Sequence, residues 1–161
     1  MRDNERIFCN FALITGLRIS EAIDSFNLII KLQSEGKLDE YYDESLSCLQ
    51  HFKYKELFIR RTKSTYISFV SVDFVKQIAR SRPVSYSAIK KNIERRTGSY
   101  VMKFNLCRDY FGTHLLKNGI LQEEVNLLQG RIPTSIFIKH YWSPSFRELR
   151  DRTLKAVSEI L

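Results

Sequence analysis

Apolar residues recur at helical spacing along most of the chain, and residues 54–71 are where the period changes. Ile7, Phe8, Phe11, Ala12 and Ile14 predict a helix over 3–15, with Gly16 at its C-cap. A second helix is expected through Leu17, Ala22, Ile23, Phe26, Ile29 and Ile30. Residues 34–50 are ambiguous, and the acidic, aromatic run from Asp39 to Glu44 reads as a surface helix or loop. In 54–71, two β-rich stretches, Leu57-Phe58-Ile59 and Tyr66 to Val70, flank Arg60-Arg61-Thr62-Lys63-Ser64-Thr65, which predicts a hairpin with a basic tip. The helical period then returns over 73–81, 85–97, 105–118, 121–129, 133–141 and 145–160. Gly98, Gly119 and Gly130 punctuate these segments, and Pro133 stands where a first helical residue would. The expected fold is mainly α with a small antiparallel β-hairpin or sheet.

Composition supports a single folded unit. At 161 residues the chain is one domain's length, and 43% of its residues are apolar, enough for a core. There are 26 Lys and Arg against 18 Asp and Glu, a net charge of +8 that favours a polyanionic partner, nucleic acid first and an anionic membrane surface second. No apolar run approaches the roughly 20 residues that span a bilayer. Cys9, Cys48 and Cys107 are too few and too scattered for a disulfide framework or a zinc site, and they fit a reducing cytosol.

Four separated places carry residue types suited to phosphate chemistry. Thr15-Gly16-Leu17-Arg18-Ile19-Ser20-Glu21 puts Arg18 and Glu21 three apart, on one helix face, where the carboxylate can aim the guanidinium. Arg61-Thr62-Lys63 puts a lysine on a short loop. Asn105-Leu106-Cys107-Arg108-Asp109-Tyr110-Phe111-Gly112-Thr113-His114 sets Arg108 on a helix whose apolar face includes Phe111 and Leu115. Leu128-Gln129-Gly130-Arg131 precedes a helix that carries His140 and Tyr141. Taken singly, each reads as an ordinary surface or core feature.

In this order and at these spacings, the four resemble the catalytic domain of the tyrosine recombinase, or phage-type integrase, family. Thr-Gly-Leu-Arg-Ile-Ser-Glu matches the family's first arginine motif almost letter for letter. Arg61-Thr62-Lys63 is similar to its hairpin lysine motif, and the Arg108 block to its second arginine motif. Tyr141 lies ten positions after Arg131, close to the family's nucleophile spacing. The resemblance runs over residues 6–142. Two departures stand out: Asn105 occupies the usual His or Lys position, and Arg131 the usual His or Trp position. Both look most like the integrases of archaeal viruses and plasmids.

The resemblance implies cleavage and rejoining of DNA strands without metal or cofactor, through a 3′-phosphotyrosyl intermediate formed by Tyr141. Covalent catalysis keeps the phosphodiester energy and splits one difficult step into two. Arg18, Arg108 and Arg131 would stabilise the charge that builds on the phosphoryl oxygens, since guanidinium groups are planar, permanently charged and bidentate toward phosphate. Lys63 would be the general acid for the leaving 5′-oxygen, and Glu21 would orient Arg18. His140 and His114 are weaker candidates, the latter reading as a packed helix residue. Arg60, Arg61, Lys90, Lys91, Arg95 and Arg96 are the expected phosphate contacts of the wider DNA surface.

The expected partner is double-stranded DNA of the attachment-site type, bound by a homo-oligomer, a tetramer on DNA, with a monomer or weak oligomer free in solution. The expected location is the host cytoplasm, on DNA, with no membrane partner. With the first motif so near Met1, residues 1–161 read as one catalytic domain without the family's N-terminal clamp. The segment 145–160 either packs on its own core or docks on a neighbouring protomer. Two other functions stay open: a DNA-binding remnant that lost turnover, which Asn105 favours, and a type IB topoisomerase-like nicking or relaxing activity.

Overall fold

The computed structural model describes residues 3–60, 64–97, 105–141, 143 and 145–161, without the side chains of residues 3, 93, 94, 96, 97, 140 and 141. Its helices are α1 (Asp3–Thr15), α2 (Ile19–Ser34), α3 (Lys55–Phe58), α4 (Val72–Ala79), α5 (Tyr86–Thr97), α6 (Asn105–Lys117), α7 (Gln122–Leu128), α8 (Thr134–Tyr141) and α9 (Ser145–Ser158). A three-stranded antiparallel sheet joins β1 (Tyr42–Asp43), β2 (Cys48–Leu49) and β3 (Ser68–Phe69) in that order, with Tyr42 opposite Leu49 and Cys48 opposite Phe69. The mainly helical expectation with a small antiparallel sheet therefore holds.

The core forms where α1, α2 and α6 meet. Phe8 and Phe11 of α1 turn their rings edge-on to Phe26 of α2, at centroid distances of 5.4 and 5.9 Å. Phe111 and Leu115 of α6 are fully buried beside them. Aromatic side chains of this size dominate the apolar area removed from water, at about 25 cal/mol per Å².

Two expectations need correction. The acidic aromatic run from Asp39 to Glu44 is a surface element only in part: Asp39 and Glu40 lie in an exposed 3-10 turn and Glu44 is exposed, but Tyr41 and Tyr42 are buried, and Tyr42 begins the sheet. The reason is a set of hydrogen bonds that only a buried tyrosine can close. Tyr41 Oη lies 2.8 Å from Ser25 Oγ and 2.6 Å from His51 Nδ1, while Tyr42 Oη donates to the carbonyl of Val70. Second, Leu57-Phe58-Ile59 is not a strand. Lys55–Phe58 is a single helical turn, and what remains of the hairpin is one antiparallel bridge between Ile59 and Ser64. Phe58 reaches this place because its ring stacks against Tyr41, 11° from parallel, and lies 4.6 Å from the His51 imidazole. Tertiary packing overrides the β preference of the local sequence.

The segment 145–160 packs on its own core. Phe146 of α9 meets Phe69 of β3 at 5.2 Å, and Leu149, Thr153, Ala156 and Val157 are buried. His114 lies 2.8 Å from the carbonyl of Ala156, Arg150 donates to the carbonyl of Ser45, and Arg152 forms a two-pronged pair with Glu124. Leu161 stays exposed.

Two asparagines place α5. Asn4 of α1 accepts from the main-chain N–H of Arg82 and donates to its carbonyl, at 2.7 and 3.0 Å. Asn27 of α2 does the same for Val84, at 2.8 and 2.9 Å. The side-chain amides thus imitate strand pairing along 82–84 and satisfy backbone groups that have no sheet partner.

Candidate functional site

Arg108 is the centre of the site. It lies on the inner face of α6, 8% exposed, one turn before Phe111 and Gly112. A cation there must find acceptors or stay in water. Arg108 finds two main-chain carbonyls: Nη1 donates to Gly16 at 2.9 Å, and Nη2 to Gln129 at 2.6 Å. One side chain thus ties the loop before Arg18 to the turn before Arg131.

Each acceptor is held in place by a glycine. Gly16 has φ +59°, and its Cα lies so close to the Phe111 ring that a Cβ would sit 2.2 Å from it. Gly130 has φ +64°, and a Cβ there would lie 1.6 Å from the carbonyl oxygen of Ser64. Both combine a left-handed backbone with a lack of room, so only glycine fits. The Gly130 contact brings the turn before Arg131 against the end of the basic loop. The Arg131 N–H donates to the carbonyl of Asn126 and closes the turn.

Arg18 occupies the N-cap position of α2. Both oxygens of the buried Glu21 hold it: Oε2 accepts from the Arg18 N–H at 3.0 Å and Oε1 from its Nη1 at 2.7 Å. The Arg18–Glu21 contact is present, and a quarter of the Arg18 side chain remains open to solvent. Arg131 is exposed. Burial, followed by the positive fields of Arg18 and Arg131, pushes the Arg108 guanidinium down to about 10. It remains charged at neutral pH, and three cations share one neighbourhood around it. Glu21 and Asp109 offset part of this charge, and the positive excess that remains is suited to an anion.

The helix that ends in Tyr141 is anchored at its inner face. Phe137 of α8 is buried, and its ring stacks on Tyr66 at 4.6 Å and 9°. Tyr66 Oη donates to the carbonyl of Ile132 and lies 3.2 Å from Thr134 Oγ1, fixing the start of α8. Tyr66 follows the basic loop directly, so that loop and α8 share one support.

Other expected residues fall as follows. Asn105 is exposed as the first residue of α6. Arg60, Lys90, Lys91 and Arg95 are exposed, the last three on α5, which turns Ile89 inward. Arg61 and Lys63, as well as Gly98, lie outside the described residues, as do the side chains of Arg96, His140 and Tyr141. His114 is half-buried against α9, as a packed helix residue should be. Reading the sequence missed Gln129 and Tyr66. Gln129 had a signal, being a polar residue in an apolar run before Gly-Arg. Tyr66 had none, since the chain has eight tyrosines.

The three cysteines are free and buried, and no cluster of metal-ligating side chains exists among the described residues. No described helix is long and apolar enough to cross a membrane.

Arg18 and Arg131 stand near enough to Arg108 for their charges to act on it, an arrangement suited to a phosphate-handling protein. The family model described as archaeal phage integrase matches residues 2–150, and the chain belongs to that family. Comparison with curated proteins and with solved structures found no match. Membership assigns the chain a general role in DNA recombination or integration, with DNA as its partner.

Proposed function

We propose that the chain is the catalytic domain of a site-specific tyrosine recombinase, cleaving and rejoining double-stranded DNA through a 3′-phosphotyrosyl bond to Tyr141. The observation that carries this reading is the position of Arg108, buried, bonded to the motifs on either side of it, and flanked by Arg18 and Arg131.

The reaction follows from these groups. The Tyr141 oxygen, its proton released to solvent, attacks the scissile phosphorus, and the bond from phosphorus to the 5′-oxygen breaks. A phenol ionises near pH ~10, so few are ionised at neutral pH, and nearby guanidinium groups favour the phenolate. As the phosphorus becomes five-coordinate, negative charge concentrates on its non-bridging oxygens. Arg18 and Arg108, held by Glu21 and by two carbonyls, are already oriented to receive it, so little reorganisation accompanies the step. Arg131 adds a third set of donors. Lys63 protonates the departing 5′-oxygen. The second half reverses these roles with a new 5′-hydroxyl. Lys90, Lys91 and Arg95 on α5, with Arg60, contact the backbone of the duplex, and several protomers assemble on the site to exchange strands.

The test is incubation with a nicked suicide duplex carrying an attachment-site sequence, in EDTA, with covalent adducts resolved on a denaturing gel. Wild type should form an EDTA-resistant adduct, and Tyr141→Phe none. Wild type that binds DNA but forms no adduct overturns the reading in favour of the DNA-binding remnant. An adduct that survives in Tyr141→Phe assigns the nucleophile elsewhere.

A further inference from the structure

Gln129 and Arg108 hold each other reciprocally. Arg108 Nη2 donates to the main-chain carbonyl of Gln129, and Gln129 Nε2 donates back to the main-chain carbonyl of Arg108, at 2.6 and 2.9 Å. Gln129 is 2% exposed, so its amide is committed to this one place. The room for it comes from Gly112, one turn after Arg108. A Cβ at 112 would lie 3.2 Å from Gln129 Nε2 and 3.7 Å from its Cδ. Glycine inside a helix is less favourable than alanine. Here the vacated space holds the amide that fixes the turn.

We propose that Gln129 is a positioning residue for strand cleavage: it locks the carbonyl that aims the Arg108 guanidinium, and so sets how Arg108 and Arg131 stand toward one phosphate. This rests on the tyrosine recombinase reading above. The chemistry requires an amide. Leucine would fill the space without donating. Glutamate, an acceptor when ionised, would face a carbonyl and the cation together. With the amide in place, the Gln129 peptide cannot rotate without breaking a buried hydrogen bond, and the guanidinium plane is set by two fixed acceptors rather than one. Arg131 follows two residues later across Gly130, so the same lock fixes the distance between the second and third cations.

The experiment compares wild type, Gln129→Leu and Gly112→Ala, each as the full chain, on the suicide duplex. Covalent adduct formation is measured over a range of DNA concentrations, and the Arg108 side-chain N–H groups are followed by nitrogen-15 NMR. Gln129→Leu should lower the rate at saturating DNA about tenfold and leave the half-saturating concentration unchanged, since phosphate contacts to the duplex backbone are untouched. Hindered rotation should keep the Arg108 Nη signals separate in wild type, and they should merge in the variant. Gly112→Ala displaces the amide by a few tenths of an ångström and should lower the saturating rate in the same direction by less; it carries the test if Gln129→Leu does not fold. A wild-type saturating rate in the variants overturns the proposal. So does a loss that appears in DNA affinity with the Arg108 signals unchanged. If wild type itself forms no adduct while its Arg108 signals are separate, the cleavage reading has failed and this role falls with it; wild type and variants are then equally silent.

Discussion

Among the described residues, two buried polar clusters are built on opposite plans. Around Arg108 a cation is held by carbonyls of Gly16 and Gln129, with like charges nearby and no carboxylate bonded to it. Around His51 the groups are neutral and closed at both ends: Ser25, Tyr41, His51 and Ser68 follow one another at 2.8, 2.6 and 2.9 Å. Each ring nitrogen of His51 meets one hydroxyl. A neutral imidazole offers one donor and one acceptor, and two hydroxyls satisfy both in either tautomer. The first cluster is left short of negative charge, which a phosphate would supply. The second lacks nothing and joins α2 to the sheet. Burial alone does not mark a functional site; a buried group with an unmet electrostatic demand does.

The comparison can be broken most directly at Arg108. Arg108→Ala should lower adduct formation about 10²–10³-fold, the usual loss on removing one preorganised donor from a transition state. Duplex binding should persist, since the backbone contacts proposed for Arg60, Lys90, Lys91 and Arg95 are untouched. A variant that cleaves at the wild-type rate would remove the distinction between the clusters.

The next largest effect belongs to pH. Burial holds the His51 imidazole down at about 3, against 6.5 for an unhindered histidine. The unfolded chain therefore binds this proton between pH 6.5 and 3 and the folded chain does not. Stability from His51 is fully present above pH 6.5 and is lost as pH falls, by about 1.4 kcal/mol per unit. Denaturant titrations should show about 3 kcal/mol lost from this group between pH 6.5 and 4, and His51→Gln should flatten that part of the slope. An unchanged slope would show that the imidazole is not closed off.

The smallest effect sharpens the contrast. Tyr41→Phe removes the hydroxyl that meets Ser25 Oγ and His51 Nδ1, leaving His51 only its bond to Ser68, and should cost about 1–3 kcal/mol of stability. Its saturating cleavage rate should stay within about twofold of wild type. A large kinetic loss at unchanged stability would make the His51 cluster part of the site.

Arg108 and Arg131 are singled out by resemblance to a family, whereas the pairing of Arg18 with Glu21 was legible for a physical reason. Arg18 and Glu21 interact across one helical turn, so their spacing alone states the contact. What brings Arg108 to them was not legible. Its partners are main-chain carbonyls, and any residue type can supply one. The sheet was hidden for a related reason. Tyr41 sits in an acidic run, and the groups that draw it inward, Ser25 and His51, lie 16 and 10 residues away. Long helices with strong apolar periodicity were visible. Two-residue strands carry no periodicity to read, and Phe58 was placed by rings distant in the chain rather than by its neighbours.

The contact of Gly130 with the Ser64 carbonyl limits which substitutions this chain can accept. Almost any surface position can accept a neutral change and drift. Here the only side chain is a hydrogen atom, and the opposing wall is backbone, which no substitution at 64 can trim. No second-site replacement in the loop restores the space. A side chain at 130 would require the backbone at 64 to move, so the turn before Arg131 and the exit of the basic loop can shift only together.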